Sequence, residues 1–220
     1  KNTLTKEEYN KRLVDIRAGA DSVKNSFIKD HPEDLLTKIL KCSKPIDIPE
    51  FPTKYKQDGS VDSLKMQMDR FVYYKQHYFD NVDFSCSGLI RTPKPVFFNN
   101  YKGYWDNVMK YESNDSIFYY ANIIIDRAKK SNIMYKYIID DVTTRYLQDG
   151  IMGHDEIYVN MIDKYFKSGI ATWLSPSDVE MNVNRANKWR NLLVGKTIPD
   201  LKKKKKDTTT TWHHLNEIKA

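Results

Sequence analysis

The residues best able to do chemistry are few and scattered. His154-Asp155-Glu156 sets an imidazole beside two carboxylates, the makings of a metal ligand set or an acid–base pair. The same triplet reads as a helix N-terminus with its acids on the positive end of the dipole, and this reading is preferred. His213-His214 offers two more imidazoles, but adjacent side chains on a strand point to opposite faces, and two ligands do not complete a site. Asp140-Asp141 supplies paired carboxylates. Neighbours on a helix diverge by about 100° and do not converge on one substrate, so a solvated face is expected. Ser85-Cys86-Ser87-Gly88 has the outline of a nucleophile loop, without the preceding glycine or an assignable base. The eight glycines are scattered, mostly at helix ends, and form no phosphate cradle.

The two cysteines, Cys42 and Cys86, make neither a C-x-x-C nor a zinc pattern. In an oxidising compartment they could close one long loop as a disulfide, and otherwise they are two partly buried thiols. Arg91, Tyr101 and Trp105 could line a groove for a peptide or glycan, against the commoner role of such rings in packing. Lys202 to Lys206, with Trp212 nearby, could touch nucleic acid or an anionic lipid surface. An edge hairpin whose lysines block strand-to-strand association accounts for the run better. No catalytic residue, cofactor or metal ligand is assigned.

Those groups must be carried by helices. Thr5-Lys6-Glu7-Glu8 is a capping box, and Tyr9, Leu13, Ile16, Ala20, Val23 and Phe27 follow in 4-3-4-3-4 spacing, one apolar stripe on a long helix. Pro32 suits a first helical position, with Leu36, Ile39 and Leu40 making a short second helix. Pro45, Pro49 and Pro52 make 42–59 an irregular, wrapping segment. Ser60 opens a third helix whose stripe is Val61, Leu64, Met68, Phe71 and Tyr78. A second irregular stretch, 80–96, holds Phe84, Leu89 and Ile90, so part of it packs on the body. Further stripes run from Phe97 to Tyr111, from Ile117 to Ala128 after Ser113-Asn114-Asp115-Ser116, from an Asn132 cap to Tyr146, and from Ile157 to Tyr165 ahead of Gly169. Ser175-Pro176-Ser177-Asp178 is the cleanest helix start, combining a cap serine, a first-position proline and a third-position acid. Short links imply antiparallel hairpins. The expected fold is all-α, a bundle or short solenoid over residues 1–194, with a β-hairpin-like remnant in 195–220.

Composition narrows the class. The chain has 220 residues, 40% hydrophobic and 30% charged, enough to bury a core and too apolar for a disordered protein. Its net charge is +7, and the five lysines of the 202–206 run leave +2 for the rest, unremarkable for a folded domain. No apolar run approaches the roughly 20 residues that span a bilayer. The chain opens at Lys1 rather than methionine, which suggests a mature fragment.

Leu192-Leu193-Val194-Gly195-Lys196-Thr197-Ile198-Pro199-Asp200-Leu201 resembles the opening segment of thioredoxin-like domains of the TlpA/ResA and alkyl-hydroperoxide-reductase type. There a G-K-x-[AI]-P-D-[FL] stretch leads into a β-hairpin, then a core strand and the redox motif. The chain reaches Ala220 where that strand would begin, so no catalytic residue of the family carries over. Upstream, Tyr78-Phe79-Asp80-Asn81-Val82-Asp83-Phe84, Leu89-Ile90-Arg91-Thr92-Pro93 and Gly150-Ile151-Met152-Gly153-His154-Asp155 with Tyr165-Phe166 are similar to the uncharacterised helical domain that precedes such a thioredoxin-like domain in Bacteroidetes cell-envelope proteins. The resemblance covers about 70–220. It implies a non-catalytic helical interaction or positioning module, in the periplasm or cell envelope, of a thiol–disulfide oxidoreductase-like protein. The implied partners are the missing thioredoxin-like domain in cis and a protein or peptide substrate. Membrane contact would come only through a removed N-terminal lipid anchor. Two other readings stay open: a basic module that binds nucleic acid or an anionic surface through 202–206, and a helical hydrolase, which needs a pocket of convergent polar groups.

Overall fold

The computed structural model describes residues 5–197, with the backbone of Lys202–Lys204 and Trp212–His214. Over residues 5–197 the fold is all-α. Its helices are α1 (Lys6–Asp30), α2 (Leu35–Cys42), α3 (Ser63–His77), α4 (Phe98–Gly103), α5 (Asn114–Ala128), α6 (Asn132–Gln148), α7 (Asp155–Met161) and α8 (Pro176–Arg190). A 3-10 turn covers Ser87–Arg91, and π-helical turns extend α4 (Tyr104–Val108) and α7 (Ile162–Phe166). Two three-residue strands, β1 (Lys202–Lys204) and β2 (Trp212–His214), pair antiparallel with Lys203 opposite His213. The Ile198–Leu201 part of the thioredoxin-like resemblance, Lys205, Lys206 and the 215–220 continuation lie outside the described residues, as do all side chains of the two strands.

The chain divides into two compact units, Lys1–Glu112 with Arg127–Met134, and Ser113–Asp126 with Tyr135–Ala220. The first unit has an aromatic core. Phe79, Phe84, Phe97, Tyr101, Tyr104 and Trp105 are all buried; most of their rings meet edge-on or tilted, at centroid distances such as 5.2 Å for Phe79–Phe84 and 5.3 Å for Tyr104–Trp105, while Phe97 stacks on Tyr101 at 5.5 Å. Offset and edge-to-face geometries are the ones the ring quadrupole favours, so this cluster of rings serves packing. The irregular 80–96 stretch packs as its apolar residues predict, with Leu89 fully buried. The second unit is built mainly on isoleucines, with Ile117, Ile125, Ile138, Ile139, Ile157 and Ile162 each 0% exposed, and it also buries Tyr146, Tyr158, Tyr165 and Phe166.

Helix starts follow sequence chemistry closely in some places. Thr5 and Glu8 form the reciprocal capping box, and Ser175 accepts from the Asp178 amide at 3.1 Å with Pro176 at the first turn. Each such cap is worth about 1 kcal/mol. Elsewhere a neighbour does the work. Ser131, not Asn132, caps α6 by accepting from the Met134 amide. Pro32 lies in a turn ahead of α2, whose N-cap is Asp34. Ser60 does not open α3: Gly59 at φ +82 turns the chain so that Tyr55 bridges Val61, and Asp62 caps the helix instead.

The largest departure concerns α1 and α3. Both carry the expected apolar stripes, yet neither holds a buried residue. Ile16 and Val23 on α1 are 67% and 72% exposed, and Leu64 on α3 is 70% exposed. No helix among the described residues is long and apolar enough to cross a membrane.

Candidate functional site

A polar cluster forms at the corner between α6 and α7, within the second unit. α6 ends at Gln148, and Asp149 then turns the chain. One carboxylate oxygen accepts from the Ile151 amide at 3.0 Å, and the other meets Nδ1 of His154 at 2.8 Å. Gly153, at φ +94, supplies a backbone conformation that side chains disfavour, and so brings His154 back toward Asp149. The His154 ring is 6% exposed and stands edge-on to Tyr146 at 5.7 Å. Asn114 closes the other side, donating to the Gly153 carbonyl at 2.9 Å and to Glu156 at 2.8 Å.

An imidazole set against a carboxylate is the pairing found in an acid–base dyad. A working base must also reach substrate, and this ring lies inside the corner. Asp155 and Glu156 sit in the first turn of α7, on the positive end of its dipole, as the sequence suggests. His154 holds the N-cap position but makes no capping bond with its side chain; Asp149 takes it instead. The sequence reading missed Asp149. The available signal was an acid five residues before the histidine, with two glycines between them.

The other candidates separate. Asp140 and Asp141 diverge as neighbours on a helix must. Asp140 accepts from the Trp173 indole at 3.0 Å, while Asp141 pairs with Arg145 at 3.9 Å. Burial pushes the Asp140 carboxyl above the usual range, against the pull of Trp173 and Lys136. In the Ser85–Gly88 loop, Asp83 accepts from the Ser85 amide and hydroxyl at 3.0 and 2.6 Å and from Lys38 at 3.1 Å. Burial alone would raise the Asp83 carboxyl, but hydrogen bonds from Ser85 and Lys38 outweigh it and hold it low. The loop is stapled through its acid, and its serine is a donor to that acid rather than an activated nucleophile.

Cys42 and Cys86 are both free thiols. Cys42 is 1% exposed and points its sulfur at the Val96 carbonyl, 3.4 Å away. Burial pushes its thiol up, more than Asn100 lowers it. Tyr101 and Trp105 are core residues at 1% and 3% exposure, whereas Arg91 is on the surface. The three therefore do not line an open groove. His213, His214 and Trp212 are placed by backbone alone.

A family model described as Domain of unknown function (DUF5106) matches residues 29–187. No curated protein and no solved structure matches the chain. The matched span runs from the C-terminal end of α1 almost to the end of α8, and so leaves most of α1 outside it.

Proposed function

The chain belongs to the DUF5106 family, a domain of unknown function, and from that premise we propose that it is a non-catalytic helical module that positions a thioredoxin-like domain following it in cis, outside the cytoplasm. The observation that carries this reading is the order along the chain. The family match ends at 187, α8 ends at Arg190, and the Gly195-Lys196-Thr197-Ile198-Pro199-Asp200-Leu201 segment begins five residues later. A helical body feeding directly into that segment is the arrangement expected when one domain holds another toward its substrate, here a protein or peptide.

The chemistry of the body supports the division of labour. A thiol that attacks a disulfide must be a thiolate, made so by an electropositive and accessible setting. Cys42 has the opposite setting, buried with its thiol pushed up. The polar residues of the α6–α7 corner are engaged in holding that corner. The redox thiols would come from the following domain.

An insulin-reduction assay tests the reading. The chain alone should give no turnover, and turnover would overturn the non-catalytic assignment. The product of the full reading frame should reduce insulin through a C-x-x-C beyond Ala220. Deleting the helical body from it should change KM for protein substrates more than for a small disulfide.

A further inference from the structure

We propose that α1 is one half of a coiled coil, and that its partner is an amphipathic helix carrying acidic residues along both edges of its apolar seam. This rests on the interaction-module reading and names the surface and the partner chemistry that it lacks.

Three observations carry it. First, Tyr9, Leu13, Ile16, Ala20, Val23 and Phe27 alternate in steps of four and three, the a/d seam of a heptad repeat. Amphipathic surface helices have a broader apolar face, whereas this stripe is narrow and keeps a period of 3.5 residues over its whole length. Second, no residue of the 25-residue helix is buried. Helices in proteins draw most of their stability from packing an apolar face, and this one is tethered at its C-terminal end, where Phe27 packs on His31 at 4.7 Å and Asn25 accepts from Lys44 at 2.6 Å. Among the described residues the seam from Tyr9 to Val23 has no buried position, and only Leu13 on it is half-buried.

Third, charge on α1 is sorted around the seam. With Leu13 and Ala20 at a, the flanking e and g positions hold Arg12, Arg17 and Lys24, and no acid. Of the acids on α1, Glu7, Glu8, Asp15 and Asp21 fall at b and c, away from the seam, and Asp30 alone falls at d, past the last apolar position at the end of the helix. Asp21 reaches Lys24 at 3.3 Å, but both side chains are about half exposed or more, and such a pair competes weakly. Residues at e and g choose the partner. A second copy is disfavoured in either direction. Parallel pairing sets Arg12 opposite Arg17 of the other copy, and antiparallel pairing brings the Arg17 side chains together. A helix with glutamates or aspartates on both edges satisfies all three cations while covering the seam.

The test uses the whole chain and two synthetic heptad peptides with identical Leu/Ile seams, one with Glu and one with Lys at every e and g. Calorimetry should show binding of the Glu peptide and at least about tenfold weaker binding of the Lys peptide. The triple variant Arg12→Glu, Arg17→Glu, Lys24→Glu should reverse that preference, and this reversal needs α1 to remain helical, so it controls for loss of fold. Ile16→Asp with Val23→Asp should lose both peptides with an unchanged melting transition. Equal binding of the two peptides, binding of neither, or a chain that sediments as a dimer dissolved by the Ile16→Asp and Val23→Asp pair would overturn the proposal. None of those results bears on insulin reduction, so the positioning reading can stand or fall separately.

Discussion

Asp149 reaches across the α6–α7 corner to the buried ring of His154, 2.8 Å away, and uses its second oxygen to hold the Ile151 amide. One carboxylate thus fixes both the turn and the imidazole. Asp149→Ala should leave a buried imidazole nitrogen and an amide unpaired, at a cost of about 1–3 kcal/mol. Asp149→Asn retains one oxygen and one amide donor and should cost clearly less. Urea melts followed by far-UV circular dichroism rank the two, and equal losses would mean that the carboxylate does not tie the corner.

Gly153 and Gly88 invert the usual expectation about space. A side chain at Gly88 would come within 2.8 Å of a Leu35 methyl, whereas one at Gly153 would meet nothing nearer than 3.7 Å. Yet Leu35 is 48% exposed and can swing away, while the φ of +94 at Gly153 cannot be relieved by any neighbour. Gly153→Ala should therefore cost about 1–3 kcal/mol, and Gly88→Ala well under that. The same melts decide it, and a larger loss at Gly88 would show that Leu35 is held in place.

How far the sequence could be read follows from the range of the interactions. The capping box at Thr5 and the N-cap at Ser175 are local, so their residues announce them. Helical periodicity likewise located the stripes of α5 and α6, because those faces have partners. It could not tell that the equally regular stripes of α1 and α3 lie open, since burial depends on what packs against a face and not on the face itself. Tyr101 and Trp105 illustrate the same limit. Their type fits a groove as well as a core, and only the surrounding Phe79, Phe97 and Tyr104 rings decide between them. Asp149 went unread because its partner is set by a turn that Gly153 makes, and the residues at that turn do not state its path.

Removing these rings should separate core from surface. Tyr101→Ala and Trp105→Ala should each destabilise by about 3–5 kcal/mol, the range for large buried aromatics. Arg91→Ala should fall within about 0.5 kcal/mol of the parent, since its side chain stands at the surface. A peptide-binding role for the three residues would instead show up as lost affinity in the Arg91 variant without lost stability.

The two thiols should differ in access. Cys42 is buried and Cys86 half-buried, so an aromatic disulfide reagent should modify Cys86 first in the native protein. Cys42 should react on the timescale of unfolding, and adding urea should bring the two rates together. Cys86→Ser should abolish the early phase; if Cys42→Ser did so instead, the packing around Val96 would be looser than the structure has it.

Asp83 and Asp140 should pull the acid stability profile in opposite directions. The Asp83 carboxyl is held low in the fold by Ser85 and Lys38 against the effect of its burial. Its contribution is therefore present above the unfolded carboxylate range and is lost as pH falls through the folded value. The Asp140 carboxyl is raised, by burial first. There the folded state holds its proton more tightly than the unfolded chain, so stability declines as pH rises from the unfolded value through the folded one. Asp140→Asn keeps an oxygen for the Trp173 indole and removes the buried charge, and should raise stability at neutral pH relative to the parent. Asp83→Asn should lower it there and converge on the parent in acid. Denaturant midpoints measured from pH 3 to 7 test both signs together. Parallel curves for the Asp140 variant and the parent would mean that Trp173 and Lys136 already compensate for its burial.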